Sequence, residues 1–581
     1  MKILRGVLPL VLAAVGVASP AAAEPPVCAP FSAALDSAAR SLPAEGGKGS
    51  AAFAAFRRGA AEAARAAGDE PLGRRIEALA PGRPVPEAEA GLASCLLRRY
   101  VEARYGEAIV RDVQAMVGFQ TFAVDEKQNW DLPEFVRQRE WLARRAASLG
   151  LEFKDYDGRA DEITLPGPKP ILALLTHGDV QGVAGQQWSS PPFAGRLAGG
   201  RIVGRGTEDD KGPLVAGLYS IAALADSGWP LAATVRLIVA NGEETSWDEI
   251  PYYLARAPMP ETTIGLDAGY PVTHAQKGYG ILTFTSGPPA KAPRPGRYRL
   301  LKMEGGSGMS IIAERGEALL QPTAPGDLEA ARVETARAAE RWAATHPAAR
   351  LTVTREGEAL KVAALGKGGH SSEPKSGHNA LGDLTAFVAT LDLTLDRWGA
   401  LAAFVGGAVG TETDGRSLGI ARRDPVMGEL TANLSYLREK DGAPIAQVNV
   451  RHPQGVSKAE IEASLAERTA VFDRASGAAV AATTEIASEP HLAPADGRLV
   501  QSLLAVWEEV TGEPGKAIAI GGGTQARLFP GGVDFGPSTD MVHYRGHGTD
   551  EYMTGPELTR IAELTVAALW RLGRATASGA P

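Results

Sequence analysis

The sequence has no dense run of lysine or arginine, and its formal net charge is −8. That balance argues against nucleic acid and anionic membrane surfaces as partners. Beyond the first residues, no apolar stretch approaches the roughly 20 residues that a membrane-spanning helix needs. Cysteine is nearly absent: Cys28 and Cys95 are the only two in 581 residues. In an oxidising compartment these two can pair and tie down the N-terminal region. Histidine is scarce too, at nine residues, so the position of each is informative.

The rest of the composition, 44% hydrophobic and 22% charged, is that of a soluble globular protein. The length exceeds what one compact core accommodates and predicts two or more domains. At the start, Lys2 and Arg5 precede an apolar stretch at 7–17, then Pro20 and Ala21-Ala22-Ala23. This order predicts a signal peptide over 1–23 and a secreted or periplasmic mature chain.

Residues 24–105 are rich in Ala, Arg and Glu, and 33–42 and 51–67 read as helices. This is a helical N-terminal extension with no evident chemistry. From 106 the texture changes. A helix is expected at 135–149, then strands over 151–165 broken at Asp157-Gly158. Four apolar runs follow, each leading into a polar cluster. Residues 171–176 lead into His177-Gly178-Asp179, and Ile202-Val203 into 204–211. Residues 235–240 lead into Asn241-Gly242-Glu243-Glu244, and 264–266 into Asp267. A helix at 212–225 has Pro213 in its first turn and Leu214, Leu218, Ile221 and Leu224 on one face. Strands alternating with helices predict an α/β sheet whose sites form at the strands' carboxyl ends. Residues 281–490 differ, with proline-rich loops, a helix near 327–345 and alternating strands such as 446–450. They read as an inserted α+β lid. The catalytic domain would then comprise 106–280 and 491–581, the second part holding helices at 499–511 and 556–572 and a glycine-rich loop at 521–524.

Residues i and i+2 of a strand share a face, so His177 can bind a metal while Asp179 orients it. Alone, such a pair is more often a surface hydrogen bond. Asp209 and Asp210 are either a solvated helix cap or the source of a carboxylate that bridges two ions. Glu243 and Glu244 diverge from one strand end, so one can bind metal while the other faces a water. Asp267 and His547 are uninformative singly. Together, two histidines and at least three carboxylates suit zinc, and manganese or cobalt also fit this donor set.

The motifs LLTHGDVQGV, GQQWSSPPF, GRGTEDDKG, NGEETS, GLDAGYPV, GHSSEPKSGHNA, NVRHP, GGGTQA and HGTDEY follow one another over about 170–555. In this order they resemble the co-catalytic dizinc peptidase family of carboxypeptidase G, aminoacylase and carnosinase. Tyr252, Tyr253 and Gln276-Lys277-Gly278 lean toward its dipeptidase V branch. The resemblance implies an α/β zinc-peptidase catalytic domain with an inserted α+β lid. It implies that His177 and Asp267 bind one zinc, Glu244 and His547 the other, and Asp209 both. By the same resemblance Asp179 orients His177, Glu243 is the general base and His370 stabilises the oxyanion. Arg451 would grip a substrate carboxylate, with Asn379, Gly523 and Thr524 on the substrate side. His378 and His452 read as surface residues. Gln525 departs from the family's usual aromatic residue, and 305–310 match its lid segment only loosely, so specificity is less defined than reaction type. The implied activity is hydrolysis of short peptides, foremost dipeptides, by a monomer whose long lid supplies His370 in the same chain. N-acyl amino acid hydrolysis and a catalytically silent zinc- or peptide-binding protein are the alternatives.

Overall fold

The computed structural model describes residues 27–42, 49–124, 130–184, 186–289, 291–293, 295–323, 328–539 and 544–575. The expected signal peptide at 1–23 lies outside them.

Three strands fix the geometry of the first sheet. Ile171–His177 lies between Thr234–Ala240 and Thr262–Gly265, parallel to both. All three are almost wholly buried, as expected of parallel strands covered on both faces. Register pairs His177 with Ala240 and Leu175 with Gly265. The polar residues that follow each strand therefore emerge side by side. Outside this trio, Ala160–Leu165 and then Glu152–Tyr156 add antiparallel on one edge. Val533–Asp534, Val272–Gln276 and His491–Leu492 extend the other edge, and Ala517–Ile520 pairs with Val272–Gln276.

The helix Lys211–Ser227 is buried on nearly every side, and Gly228 ends it with φ 62°. It packs against Gly555–Gly573 and Ala90–Val117. The N-terminal helices Ser32–Ser41, Gly49–Ala66 and Ala90–Val117 belong to the same hydrophobic core as this sheet. The extension is thus an integral layer of the unit built on the first sheet. Ala90–Val117 runs unbroken through residue 105, where the sequence texture changes. Cys28 and Cys95 form a disulfide, with Cα atoms 5.6 Å apart.

The second sheet is antiparallel, with a core of its own. The chain enters it at Gly278–Ser286, directly after Val272–Gln276, and leaves through Val480–Ser488. The helices Leu328–Thr345, Ala380–Ala389, Arg397–Ala408 and Lys458–Ser476 accompany it. His452 is buried here at 1% exposure, contrary to its surface reading, because its strand Ala443–His452 lies inside this sheet. Among the described residues no helix is long and apolar enough to cross a membrane.

Candidate metal centre and active site

The parallel strands deliver His177 directly and Glu243, Glu244 and Asp267 within a few residues of their ends. Asp209 arrives from the turn before the helix Lys211–Ser227. Its Oδ1 lies 2.8 Å from Nε2 of His177, and its Oδ2 lies 3.0 Å from Nε2 of His547. One carboxylate thus faces two histidines. Asp267 approaches His177 Nε2 at 3.8 Å, and Glu244 approaches His547 Nε2 at 3.1 Å. The result is two triads sharing Asp209: His177–Asp209–Asp267 and Asp209–Glu244–His547. Within each, one donor atom per residue falls inside 4.8 Å of the others.

These residues fit a pair of divalent cations. Buried carboxylates need compensating charge or they neutralise. Burial and the neighbouring Asp267 push Glu243 well above the usual carboxylate range, and burial raises Asp267 to about 6. Asp209 is the exception: burial opposes its charge, but hydrogen bonds with His177 and His547 hold it well below that range. His547 is raised to about 10 by Glu244 and Asp209 despite its burial. In the protein alone the histidines carry charge that bound cations would carry instead. The mixed nitrogen and oxygen donors suit zinc, and no cysteine takes part.

Asp179 acts differently from expectation. His177 Nδ1 meets its main-chain oxygen at 3.0 Å, whereas the carboxylate stands 3.6 Å away. That carbonyl accepts the Nδ1 proton, so Nε2 is the nitrogen that would turn its lone pair to a cation once its own proton is lost. The Asp179 carboxylate instead accepts from the N–H groups of Glu243 and Glu244, at 3.2 and 3.1 Å. It therefore fixes the turn carrying both glutamates. Glu243 lines a small cavity together with His177, Asp267, Thr524, Gln525 and Asp534.

From the second sheet, His370 reaches the centre: its ring centroid lies 5.2 Å from that of His547. Nδ1 of His370 accepts from the backbone N–H of Ser372 at 3.1 Å and lies 2.6 Å from its hydroxyl. An N–H can only donate, so the neutral ring carries its proton on Nε2. Burial, His547 and Arg451 keep this imidazole well below the ordinary histidine range. Arg451 is buried, donates from Nε to Asn449 at 3.1 Å and lies over the Tyr279 ring at 4.4 Å. Burial lowers it to about 10, and Glu243 is near enough to raise it in part.

The Asn379 amide is engaged within the second sheet and its helices. Its Oδ1 accepts from the N–H groups of Leu381 and Gly382, capping the helix Ala380–Ala389. Its Nδ2 donates to Asn433 Oδ1 and Leu434 O at 2.8 and 2.9 Å. All four hydrogen-bonding positions of the amide are used by neighbouring groups of the chain. Thr524 is similarly occupied: its hydroxyl binds Gln276 and Asp534. Gly523 lies against Arg527, and a Cβ there would sit 2.5 Å from Nη1. Gln525 is buried and donates to Glu249.

Several supporting residues escaped the sequence reading. Tyr544 donates its hydroxyl to Asp209. Lys211 donates to the carbonyls of Met116 and Phe119, joining the ligand loop to the end of the Ala90–Val117 helix. Glu551 and Arg205 form a buried ion pair at 2.7 Å. The available signal was the opposite charge of Arg205 and Glu551 within two ligand-bearing motifs, GRGTEDDKG and HGTDEY.

Comparison with known proteins agrees with this geometry. Residues 173–571 match the model of peptidase family M20/M25/M40. The putative dipeptidase YtjP of Bacillus subtilis is 29% identical over 434 residues, covering 73% of this chain and 88% of that one. The Beta-Ala-Xaa dipeptidase of Lactobacillus delbrueckii subsp. lactis is 29% identical over 425 residues, covering 73% and 86%. Human carnosine dipeptidase 1 shares the fold, with a TM-score of 0.50 at 14% identity over 84% of this chain and 99% of that one. The paired triads stand at the ends of the parallel strands, within the matched region, and the chain belongs to peptidase family M20/M25/M40.

Proposed function

We propose that this protein hydrolyses the amide bond of short peptides, foremost dipeptides, at a two-zinc centre. The observation that carries this reading is Asp209, whose two carboxylate oxygens face His177 and His547 separately. His177 and Asp267 would hold one ion, Glu244 and His547 the other, with Asp209 shared. Bound there, zinc supplies Lewis-acid activation of a water and of the scissile carbonyl.

The remaining work falls to the chain's own groups. Glu243 takes a proton from the attacking water and returns it to the leaving amine nitrogen. Its place beside His177 and Asp267 in the small cavity suits that transfer. His370 offers an Nε2–H donor to the oxyanion of the tetrahedral intermediate. Arg451 supplies a guanidinium for a substrate carboxylate. The relatives named dipeptidases support the choice of substrate class. The placement of His370 beside His547 in one chain supports a monomeric enzyme. The Cys28–Cys95 disulfide supports export to an oxidising compartment.

The test is a zinc-loaded assay on dipeptides, tripeptides and N-acyl amino acids, with a chelator control. Dipeptides should be cleaved fastest, and chelation should stop turnover. Glu243→Gln should lower kcat by about 10²–10⁴ while metal content holds. Faster cleavage of N-acyl amino acids, or an unaffected Glu243→Gln variant, would overturn the proposal.

A further inference from the structure

The two triads are supported very differently. His177 is held by the Asp179 carbonyl at Nδ1 and by Asp210, beside Asp209 in the same loop, which accepts from its backbone N–H at 3.0 Å. Asp267 follows directly on the strand Thr262–Gly265. The second triad instead draws on one buried ion pair, Arg205–Glu551, with exposures of 1% and 0%.

The connections can be followed bond by bond. Oε1 of Glu551 accepts from the backbone N–H groups of Glu208 and Asp209, at 2.8 and 3.2 Å. Oε2 accepts from Gly206 N–H at 3.0 Å as well as from Arg205 Nη1. The Glu551 carboxylate thereby holds the loop that presents Asp209. Arg205 Nε donates to the carbonyl of Gln181 at 3.2 Å, and the Gln181 side chain donates to Glu244 Oε2 at 2.9 Å. Arg205 Nη2 donates to Gln186 Oε1 at 3.0 Å, and Gln186 Nε2 donates to the carbonyl of His547 at 2.8 Å. His547 has a positive φ of 63°, a backbone state that a non-glycine residue holds only when its surroundings enforce it. All three ligands of the second triad are thus tied to this pair, directly or through one glutamine.

We infer that the Arg205–Glu551 pair is a positioning element whose main effect falls on the Asp209–Glu244–His547 site. It sets the affinity of that site for its ion, whereas the His177–Asp267 side meets the pair only through the shared Asp209 loop and depends on it less. The inference rests on the two-zinc reading. Glu551→Gln turns a full acceptor into a group whose NH₂ must face backbone N–H donors. Arg205→Lys keeps the charge and loses the fork that reaches Gln181, Gln186 and Glu551 together.

The experiment titrates zinc into wild-type protein and variants against a competing chelator, and reads site occupancies by anomalous diffraction. Wild type should take up two ions. Glu551→Gln and Arg205→Lys should weaken the second site by about 10–100-fold, the usual range for losing a group that orients metal ligands. Occupancy at His177–Asp267 should persist. Gln186→Ala and Gln181→Ala leave the pair intact and should weaken the same site to a smaller degree. They decide the matter if the buried-pair variants do not fold. A merely structural role would lower thermal stability and both sites alike. Two ions bound with unchanged or equally reduced affinities across the folded variants would overturn the inference alone. Fewer than two ions in wild type would overturn the two-zinc reading and this inference with it.

Discussion

His370 and His547 are 177 positions apart in sequence, in separate loops, yet their rings stand 5.2 Å apart in one chain. A histidine from the segment between the strands Ala359–Leu365 and Thr431–Lys440 therefore overlooks the candidate metal centre of its own chain. Its Nδ1 is taken by the Ser372 N–H, so only Nε2–H is left to donate.

His370→Ala should lower kcat by about 10²–10³, the range for losing one oxyanion donor. Metal content should be unchanged. Mixing this variant with Glu243→Gln should restore no activity, because both groups act in the same chain. Recovery of activity in the mixture would show that the lid histidine crosses between subunits.

Asn379→Ala should destabilise without changing KM. Its side chain caps a helix and satisfies the Leu434 carbonyl, so the loss should be about 1–2 kcal/mol. Thermal unfolding and dipeptide kinetics measured on the same preparation check both parts. A raised KM with unchanged stability would restore Asn379 to the substrate side.

These two residues show what the sequence disclosed and what it did not. Three of the candidate ligands were legible because a strand end is a local feature, where an apolar run stops and a His, Glu or Asp follows; Asp209 and His547 entered only through the ordered motifs. Parallel pairing then turned the local signals at His177, Glu244 and Asp267 into one site. Asn379 lies in an equally suggestive motif, but its partners Asn433 and Leu434 come from a strand more than fifty residues later. Arg205 and Glu551 were hidden for the same reason, being 346 positions apart. The N-terminal helices gave no hint of their place because alanine faces specify helix without specifying a partner. That partner proved to be the buried helix Lys211–Ser227 and its neighbours.

Asp161 should make stability depend on pH. It is fully buried, its Oδ2 accepts from Asn241 at 3.3 Å, and its Oδ1 has no hydrogen-bond partner among the described residues. Burial raises its pKa to about 7, against about 3.9 when unfolded. Between those values the native state binds more protons than the unfolded state. Its contribution to stability is therefore full below about pH 4 and lost as pH rises to about 7. The loss is at most about 4 kcal/mol. Asp161→Asn should unfold at a higher temperature than wild type at pH 8, with the gap closing toward pH 5. A gap independent of pH would contradict this account.

Replacing Cys28 and Cys95 by alanine should cost about 2–4 kcal/mol, because the crosslink closes a long loop in the unfolded chain. The sequence separation is 67. Denaturant unfolding measures the loss directly. Neither cysteine touches the metal triads, so kcat of the folded variant should match wild type. Unaltered stability would mean that the extension is held by its core packing alone.

The most direct measurement is anomalous diffraction at the zinc edge from crystals of the zinc-loaded protein. The account predicts two peaks flanking the Asp209 carboxylate, about 3.5–4 Å apart. One should be held by His177 and Asp267 and the other by Glu244 and His547. A single peak, or peaks away from Asp209, would contradict it.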